Sequence, residues 1–320
     1  MPRTPGRPMD PTLRIGTRAS PLALWQANFV RDAVQSHHGD LTLELECIRT
    51  SGDQDQDREL AEIGIGVFSK ELDHALLAGQ VQFAVHSLKD LPTELDDELC
   101  IAAVPERASP VDAWVSRNKV ALEDLPQGAR VGTSSPRRKA QLLHHREDLE
   151  ILPIRGNVDT RIRKVNEGEY DGTILAHAGL LRLGRLEAIH SLIPVDLILP
   201  AVSQGAIAVV ARRSDEDVLE KLRLIDHPPS RTRIEAERSF LRTLRGGCQV
   251  PAAALAEFSE EEEKDVKIHI RGRVGTLDGK RLIEGEIEGP TDEAERLGES
   301  LAKDLLGRGG ASILDELRHE

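Results

Sequence analysis

The chain has 320 residues, a formal net charge of -13 and only 2% aromatic residues, which predicts two or three domains with aliphatic cores and excludes a broad nucleic-acid footprint, because that needs a basic face. The opening MPRTPGRPMDPT has no apolar signal core, no stretch approaches a membrane span, and 3 cysteines with no close pair support neither a disulfide framework nor a thiolate zinc site. We therefore expect a soluble cytoplasmic protein with a flexible tail over 1–12 and no metal.

From Leu13 to about Val210, short aliphatic runs alternate with amphipathic stretches, the pattern of βα units and mostly parallel sheets. LRIGT predicts a strand, and a helix from Pro21 follows with Leu22, Trp25, Phe29 and Ala33 on one face. LTLELECIRT predicts the next strand, with Cys47 on its apolar side and so buried. A helix near Phe68 to Leu77, the strand VQFAVHS, the strand LCIAAVP with a buried Cys100, and the strand AWVS complete the first series. A second series starts at ARVGTSS and runs through EILPIRG, a helix with Val158, Ile162 and Val165, and GTILAHA. Proline and charge in VPERASPVD and LILPAVSQG suggest two crossovers between lobes.

Past DHPPSRT the texture changes. A helix capped by Ser230 carries Ile234, Leu241 and Leu244, VKIHIRGRV pairs with KRLIEGEIE around the turn Asp278-Gly279, and a last amphipathic helix starts near Asp292. This predicts a small α+β domain, with SEEEEKD as a solvated loop. The expected organisation is a tail over 1–12, lobe 1 over 13–105 and 201–226, lobe 2 over 106–200, and a C-terminal domain over 227–320.

The stretch GTSSPRRKAQ poses a physical problem. Thr133, Ser134 and Ser135 are good helix caps and Pro136 suits a first turn, so Arg137, Arg138 and Lys139 fall at the positive end of a helix. Each cation there is disfavoured by roughly 0.3–1 kcal/mol unless an anion neutralises it. A bound anion resolves this most simply. The theme recurs in GTRASPLA, with Arg18 and Ser20, and in IRGNVDTRIRK, with Arg155 and Arg161. Ligands of parallel α/β sheets bind outside the carboxyl ends of strands, so these corners are expected to converge on one cleft holding several carboxylates or phosphates. In AVHSLKDLP, Ser87, Lys89 and Asp90 follow an apolar strand, and a carboxylate flanked by a cation can serve in proton transfer. His86 alternates inward and reads as a packed core histidine. Neither a phosphate-binding glycine loop nor a dinucleotide fingerprint is present.

Seven segments in this order, RIGTRASPLALWQA, VHSLKDLPT, GTSSPRRKAQL, RGNVDTRIRK, TILAHAGLLRLG, LPAVSQGAIAV and LRGGCQVP, resemble the porphobilinogen deaminase (hydroxymethylbilane synthase) family over nearly the whole chain. The resemblance implies an α/β fold of two periplasmic-binding-protein-like lobes with mostly parallel sheets plus a small α+β C-terminal domain. It implies a monomeric transferase of tetrapyrrole (haem or chlorophyll-type) biosynthesis that condenses four porphobilinogen molecules head to tail, releasing ammonia and the linear tetrapyrrole hydroxymethylbilane. It also implies a covalent dipyrromethane cofactor, built from the substrate and joined by a thioether to Cys248, and Asp90 as the catalytic acid. Each pyrrole carries an acetate and a propionate. The implied carboxylate-binding positions are Arg18, Ser20, Ser87, Lys89, Thr133, Ser134, Ser135, Arg137, Arg138, Arg155, Gly156, Asn157, Arg161, Arg182 and Gln204. The segment EIGIGVFSKEL, with Ile65 and Phe68, is the lid candidate, and it departs from the family by having Ile65 about where a lysine is usual. Arg245 stands where an acidic residue is common.

Overall fold

The structure, a computed structural model, describes residues 12–49, 69–245, 250–259 and 266–319. Strand β1 (Thr12–Thr17) runs into helix α1 (Pro21–His37), followed by β2 (Thr42–Cys47), α2 (Lys70–Leu77), β3 (Phe83–Ser87) and β4 (Leu99–Ala103). The chain then crosses to β5 (Asp112–Ser116), β6 (Arg130–Gly132), α3 (Pro136–His145), β7 (Glu150–Leu152), α4 (Val158–Glu167), β8 (Gly172–Ala176), α5 (His177–Arg182) and β9 (Ser191–Leu192). It returns through β10 (Ile207–Arg212) and α6 (Glu216–Arg223). The last part holds α7 (Pro228–Thr243), β11 (Ala252–Phe258), β12 (Lys267–Gly275), β13 (Leu282–Pro290), α8 (Ala294–Leu305) and α9 (Ala311–His319).

Two five-stranded sheets share one plan, with orders β2-β1-β3-β10-β4 and β7-β6-β8-β5-β9. In each, one strand is reversed: β10 pairs antiparallel with β3 and β4, and β5 pairs antiparallel with β8 and β9. The other four strands run the same way, so the carboxyl ends of β1, β3, β6, β7 and β8 all lead into helical turns on the ligand side of their sheets. A third, three-stranded antiparallel sheet is formed by β11, β12 and β13, and β12 and β13 pair in register from Lys267–Pro290 to Gly275–Leu282.

The cores are aliphatic. Ile15, Phe83 and Val209 pack on Ala27, Val30 and Val34 of α1, while Leu72 and Leu76 of α2 cover the other face of the same sheet with Val210. Trp114, Val131, Leu142 and Ile174 fill the second core, and Phe240, Ile268, Ile270 and Leu301 the third. Complete burial of each large side chain contributes about 1.5–3 kcal/mol.

Four expectations need correction. The core face of α1 is Ala27, Val30 and Val34, whereas Trp25 and Phe29 are each 38% exposed and stack on one another. Cys47 is exposed, because it ends the edge strand β2, whose apolar residues Leu43 and Leu45 are only half covered. Cys100 is half-buried. Helix α7 is capped by His227, with prolines in its first turn, and Ser230 is instead fully buried, its hydroxyl accepting the Arg107 N–H at 2.8 Å. Strand β11, an alanine-rich run without a strand-like composition, forms because seven residues pair with β12 and Ala252–Ala256 are buried. Thr12, expected in the tail, begins β1, while residues 1–11 and most of SEEEEKD lie outside the described residues.

The two crossovers lie side by side. The Ala108 N–H donates to the Gly205 carbonyl at 3.3 Å, and Gly205 has φ +87. A Cβ there would stand 2.3 Å from the Ala108 carbonyl oxygen, so only glycine lets the crossovers meet. Gly205→Ala should therefore cost roughly 3 kcal/mol or more in urea denaturation. At Gly184, which has φ +64 with nothing within 4 Å of a Cβ, alanine should cost only about 1 kcal/mol. Equal losses at the two positions would show that the crossover contact contributes nothing.

Candidate active site between the lobes

Three corners set the site, and each is built by a cap. At the end of β1, Ser20 caps α1 and accepts the Ala23 N–H at 3.3 Å, with Arg18 just before it. After β6, Ser135 caps α3, Thr133 accepts the Ser135 N–H at 3.2 Å, and Ser134 exchanges hydrogen bonds with the Ile154 backbone. Beyond β7, Asn157 caps α4 by accepting the Thr160 N–H at 2.9 Å, and the Arg161 Nε donates to the Gly156 carbonyl at 2.9 Å. A cap side chain satisfies one orphan N–H and so fixes where each helix begins.

The end of β3 runs into a short 3-10 turn, Leu88–Asp90, which carries Lys89 and Asp90. Leu88 is fully buried and Asp90 is exposed, so the turn is anchored by its apolar residue and presents its acid outward. Arg18, Ser20, Gln26, His86, Ser87 and Asp90 line one open cleft, in which Gln26 and Ser87 hydrogen-bond side chain to side chain at 2.9 Å. His86 is buried as expected, and burial first, then Arg18, pushes it down to about 4, so it is neutral near pH 7.

Arg137 and Arg138 behave differently from the expectation that a bound anion neutralises them. Both are buried, and their counter-ion is the chain's own Asp112, the first residue of β5, which is itself fully buried. Arg137 Nη2 donates to Asp112 Oδ2 at 2.8 Å, and Arg138 donates to both carboxylate oxygens, through Nη2 at 2.7 Å and Nε at 3.2 Å. Gln204 Nε2 adds a fourth donor at 2.8 Å, and the Gln204 Oε1 accepts from Lys89 Nζ at 3.2 Å. Burial pushes the Asp112 carboxyl up, but Arg137 and Arg138 outweigh it and hold the group well below the usual carboxylate range.

Of the remaining cations, Lys89 and Arg161 lie within electrostatic reach of Asp90. Burial lowers Lys89 to about 8, opposed by the attraction of Asp90 and helped by Arg138. Burial lowers Arg161 to about 10, with Arg138 and Arg155 adding repulsion and Asp90 opposing it. Arg182 is brought to about 10 by burial, donates to the Gly205 carbonyl at 2.7 Å, and lies 5.5 Å from the Trp25 ring centre. Arg18 and Lys89 from the first sheet and Arg161 from the second thus gather near the exposed Asp90, with Arg155 beside Arg161 and Arg182 against Gly205 and Trp25. Cys248, Ile65 and Phe68 lie outside the described residues.

The sequence reading passed over Asp112 and Glu237. Nothing in PVDAWVS distinguishes Asp112, but Glu237 left a signal, an acid inside the apolar stripe of Ile234 and Leu241. Fully buried Glu237 pairs with Arg107 at 2.7 Å and accepts the N–H groups of Ser203 and Ala256. It thereby ties both crossovers to the third sheet.

The cleft's chemistry fits a ligand with several carboxylates. Partly buried cations gathered in this way suit added negative charge, which a dipyrromethane with an acetate and a propionate on each ring supplies.

The family model "Porphobilinogen deaminase, dipyromethane cofactor binding domain" matches residues 13–220, and "Porphobilinogen deaminase, C-terminal domain" matches residues 231–307. Porphobilinogen deaminase of Syntrophomonas wolfei is 50% identical over 307 residues, covering 96% of this chain and 99% of that protein. The enzyme of that name from Desulforudis audaxviator is 48% identical, covering 95% and 97%. Among solved structures, the periplasmic VFT2 domain of Bordetella pertussis BvgS is similar at 15% identity and TM-score 0.42, over 67% of this chain and 86% of that one. The chain belongs to the porphobilinogen deaminase family.

Because two guanidiniums depend on Asp112, Asp112→Asn should cost about 3–5 kcal/mol in urea denaturation at neutral pH. The folded-state carboxyl is depressed, so its stabilisation is complete above the unfolded value of about 3.9 and fades as pH falls toward the folded one. The gap between wild type and variant should therefore narrow below about pH 4. A gap independent of pH would show that the ion pairs do not hold the lobe.

Proposed function

We propose that Asp90 is the catalytic acid of this porphobilinogen deaminase, that Cys248 holds its cofactor, and that the cleft cations bind the acetates and propionates of substrate and product. The enzyme is a transferase that joins four porphobilinogen molecules head to tail on a dipyrromethane primer and releases ammonia and hydroxymethylbilane. The observation that carries the residue roles is one exposed carboxylate at the end of β3, surrounded by cations from both sheets.

When bound, the dipyrromethane supplies the acceptor pyrrole to which the first substrate is joined. The side chains do the rest. Arg18, Lys89, Arg155, Arg161 and Arg182 pair with ring carboxylates and so fix each pyrrole's orientation, the part of catalysis that positioning contributes. An Asp90 oxygen accepts the pyrrole N–H of porphobilinogen, and its negative charge stabilises the ring as the amino group leaves as ammonia. After carbon–carbon bond formation the same carboxylate takes the proton released from the ring. Ser20, Ser87, Ser135 and Asn157 hold the corners from which the cations reach, and Arg137 and Arg138 form a rigid base through Asp112.

Four additions at one acid require relative movement, and we assign it to lobe 1 (13–105 and 201–226) and lobe 2 (106–200) about the paired crossovers, with 227–320 as the third unit. We also infer a cytoplasmic monomer. Cys47 and Cys100 are free thiols, which suits a reducing compartment, and no helix among the described residues is long and apolar enough to cross a membrane.

Intact mass of the purified protein should exceed the sequence mass by one dipyrromethane, and Cys248→Ser should abolish the excess. An unchanged excess in that variant would place the attachment elsewhere. Asp90→Asn should keep the primer mass and the fold yet lose at least about 100-fold in kcat, within the range for a general acid–base. As pH rises through about 8, Lys89 loses its charge and kcat/KM for porphobilinogen should fall. Lys89→Arg, which stays charged, should remove that inflection, and its persistence would assign the titration to another group.

A further inference from the structure

Helix α1 turns two aromatic rings away from its own core. Trp25 and Phe29 are stacked with centroids 5.5 Å apart and planes 7° from parallel, and both are 38% exposed. This is a costly place for an aromatic pair unless something planar covers it. The pair stands on the helix that borders the cleft: Leu22, Ala23 and Gln26, next to Trp25 on its first turns, line the cleft that holds Asp90. It also stands at the junction of the lobes. A Cβ on Gly179 of α5 would lie 3.9 Å from Leu22, and the Arg182 guanidinium at the end of α5 lies 5.5 Å from the Trp25 ring centre.

A part-exposed indole with a guanidinium over its face matches a planar ring that carries carboxylates. Stacking on the indole receives the ring, and the guanidinium fork receives the acid. The growing product is a chain of such rings, and it must leave the acid's immediate surroundings as it lengthens. We propose that the Trp25–Phe29 stack is a resting surface for a pyrrole ring of the lengthening chain, with Arg182 pairing a carboxylate of that ring. The ring takes the indole face over which Arg182 now lies, and Arg182 exchanges its contact with the indole for the carboxylate. Trp25 is thus a positioning residue for the later additions, and this rests on the function proposed above.

The test uses the full-length, primer-loaded enzyme with Trp25→Leu and Trp25→Phe. The chain has two tryptophans and Trp114 is fully buried, so acrylamide quenching of the exposed emission reports Trp25. Porphobilinogen is added in limiting amounts, and intact mass counts the units bound. Quenching of wild type should fall as the second and third units are added. Trp25→Leu should accumulate the two- and three-unit adducts about 5-fold over wild type, and Trp25→Phe should restore the wild-type distribution. Quenching that ignores the number of bound units, or an adduct distribution unchanged in Trp25→Leu, overturns the proposal. Shielding that grows with protein concentration in the absence of substrate assigns the surface to a second copy of the chain and also overturns it. A wild type that gains no substrate units would instead remove the enzymatic reading, and the platform with it.

Discussion

One buried carboxylate organises the start of α3 and its link to Lys89. Asp112 accepts four N–H donors, three from Arg137 and Arg138 and one from Gln204, and Gln204 in turn accepts from Lys89. The chain of contacts starts on β5, passes the second crossover and ends at Lys89, next to Asp90 at the end of β3. A single ion pair of this depth is seldom a net gain over apolar packing, because desolvation opposes the attraction. Its consequence here is geometric. Two arginines that would repel each other at a helix start are locked in one arrangement, and their field reaches Lys89 and Arg161 at the surface of the cleft.

That field is positive although the chain as a whole is acidic. The chain carries a formal charge of -13, while Arg18, Lys89, Arg155 and Arg161 stand at strand ends and helix starts, and Lys89, Arg161 and Arg182 are partly dehydrated. Dehydration strengthens each later contact with a carboxylate, since the interaction takes place in a medium of lower dielectric than water. Asp90 remains exposed among them, a carboxylate open to solvent.

Glu237 plays the matching role at the other end of the crossovers. Its two oxygens serve Arg107, Ser203 and Ala256, so the segments that join the lobes are fastened to α7 and β11. The two crossover segments are therefore held together and to the third sheet, and Gly205 lets them touch.

Much of this was legible along the chain. The alternation of apolar runs and amphipathic stretches was enough for the βα series, since strand and helix periodicities are local, and the caps Ser20, Ser135 and Asn157 are local too. The motifs with Arg18, Asp90, Arg155 and Arg161 could be placed at strand ends for the same reason. What could not be read were choices made by distant partners. Cys47 lies outside because β2 is an edge, Trp25 and Phe29 face outward because Ala27, Val30 and Val34 meet the sheet, and Ser230 is a buried acceptor because Arg107 arrives beside it. The sequence by itself determined which residues carry charge and where along the chain they recur. Only the tertiary structure decided that Asp112, 25 residues from Arg137 and 92 from Gln204, would be their shared anion, because compensation of a buried charge depends on distance in space, which residue order does not contain.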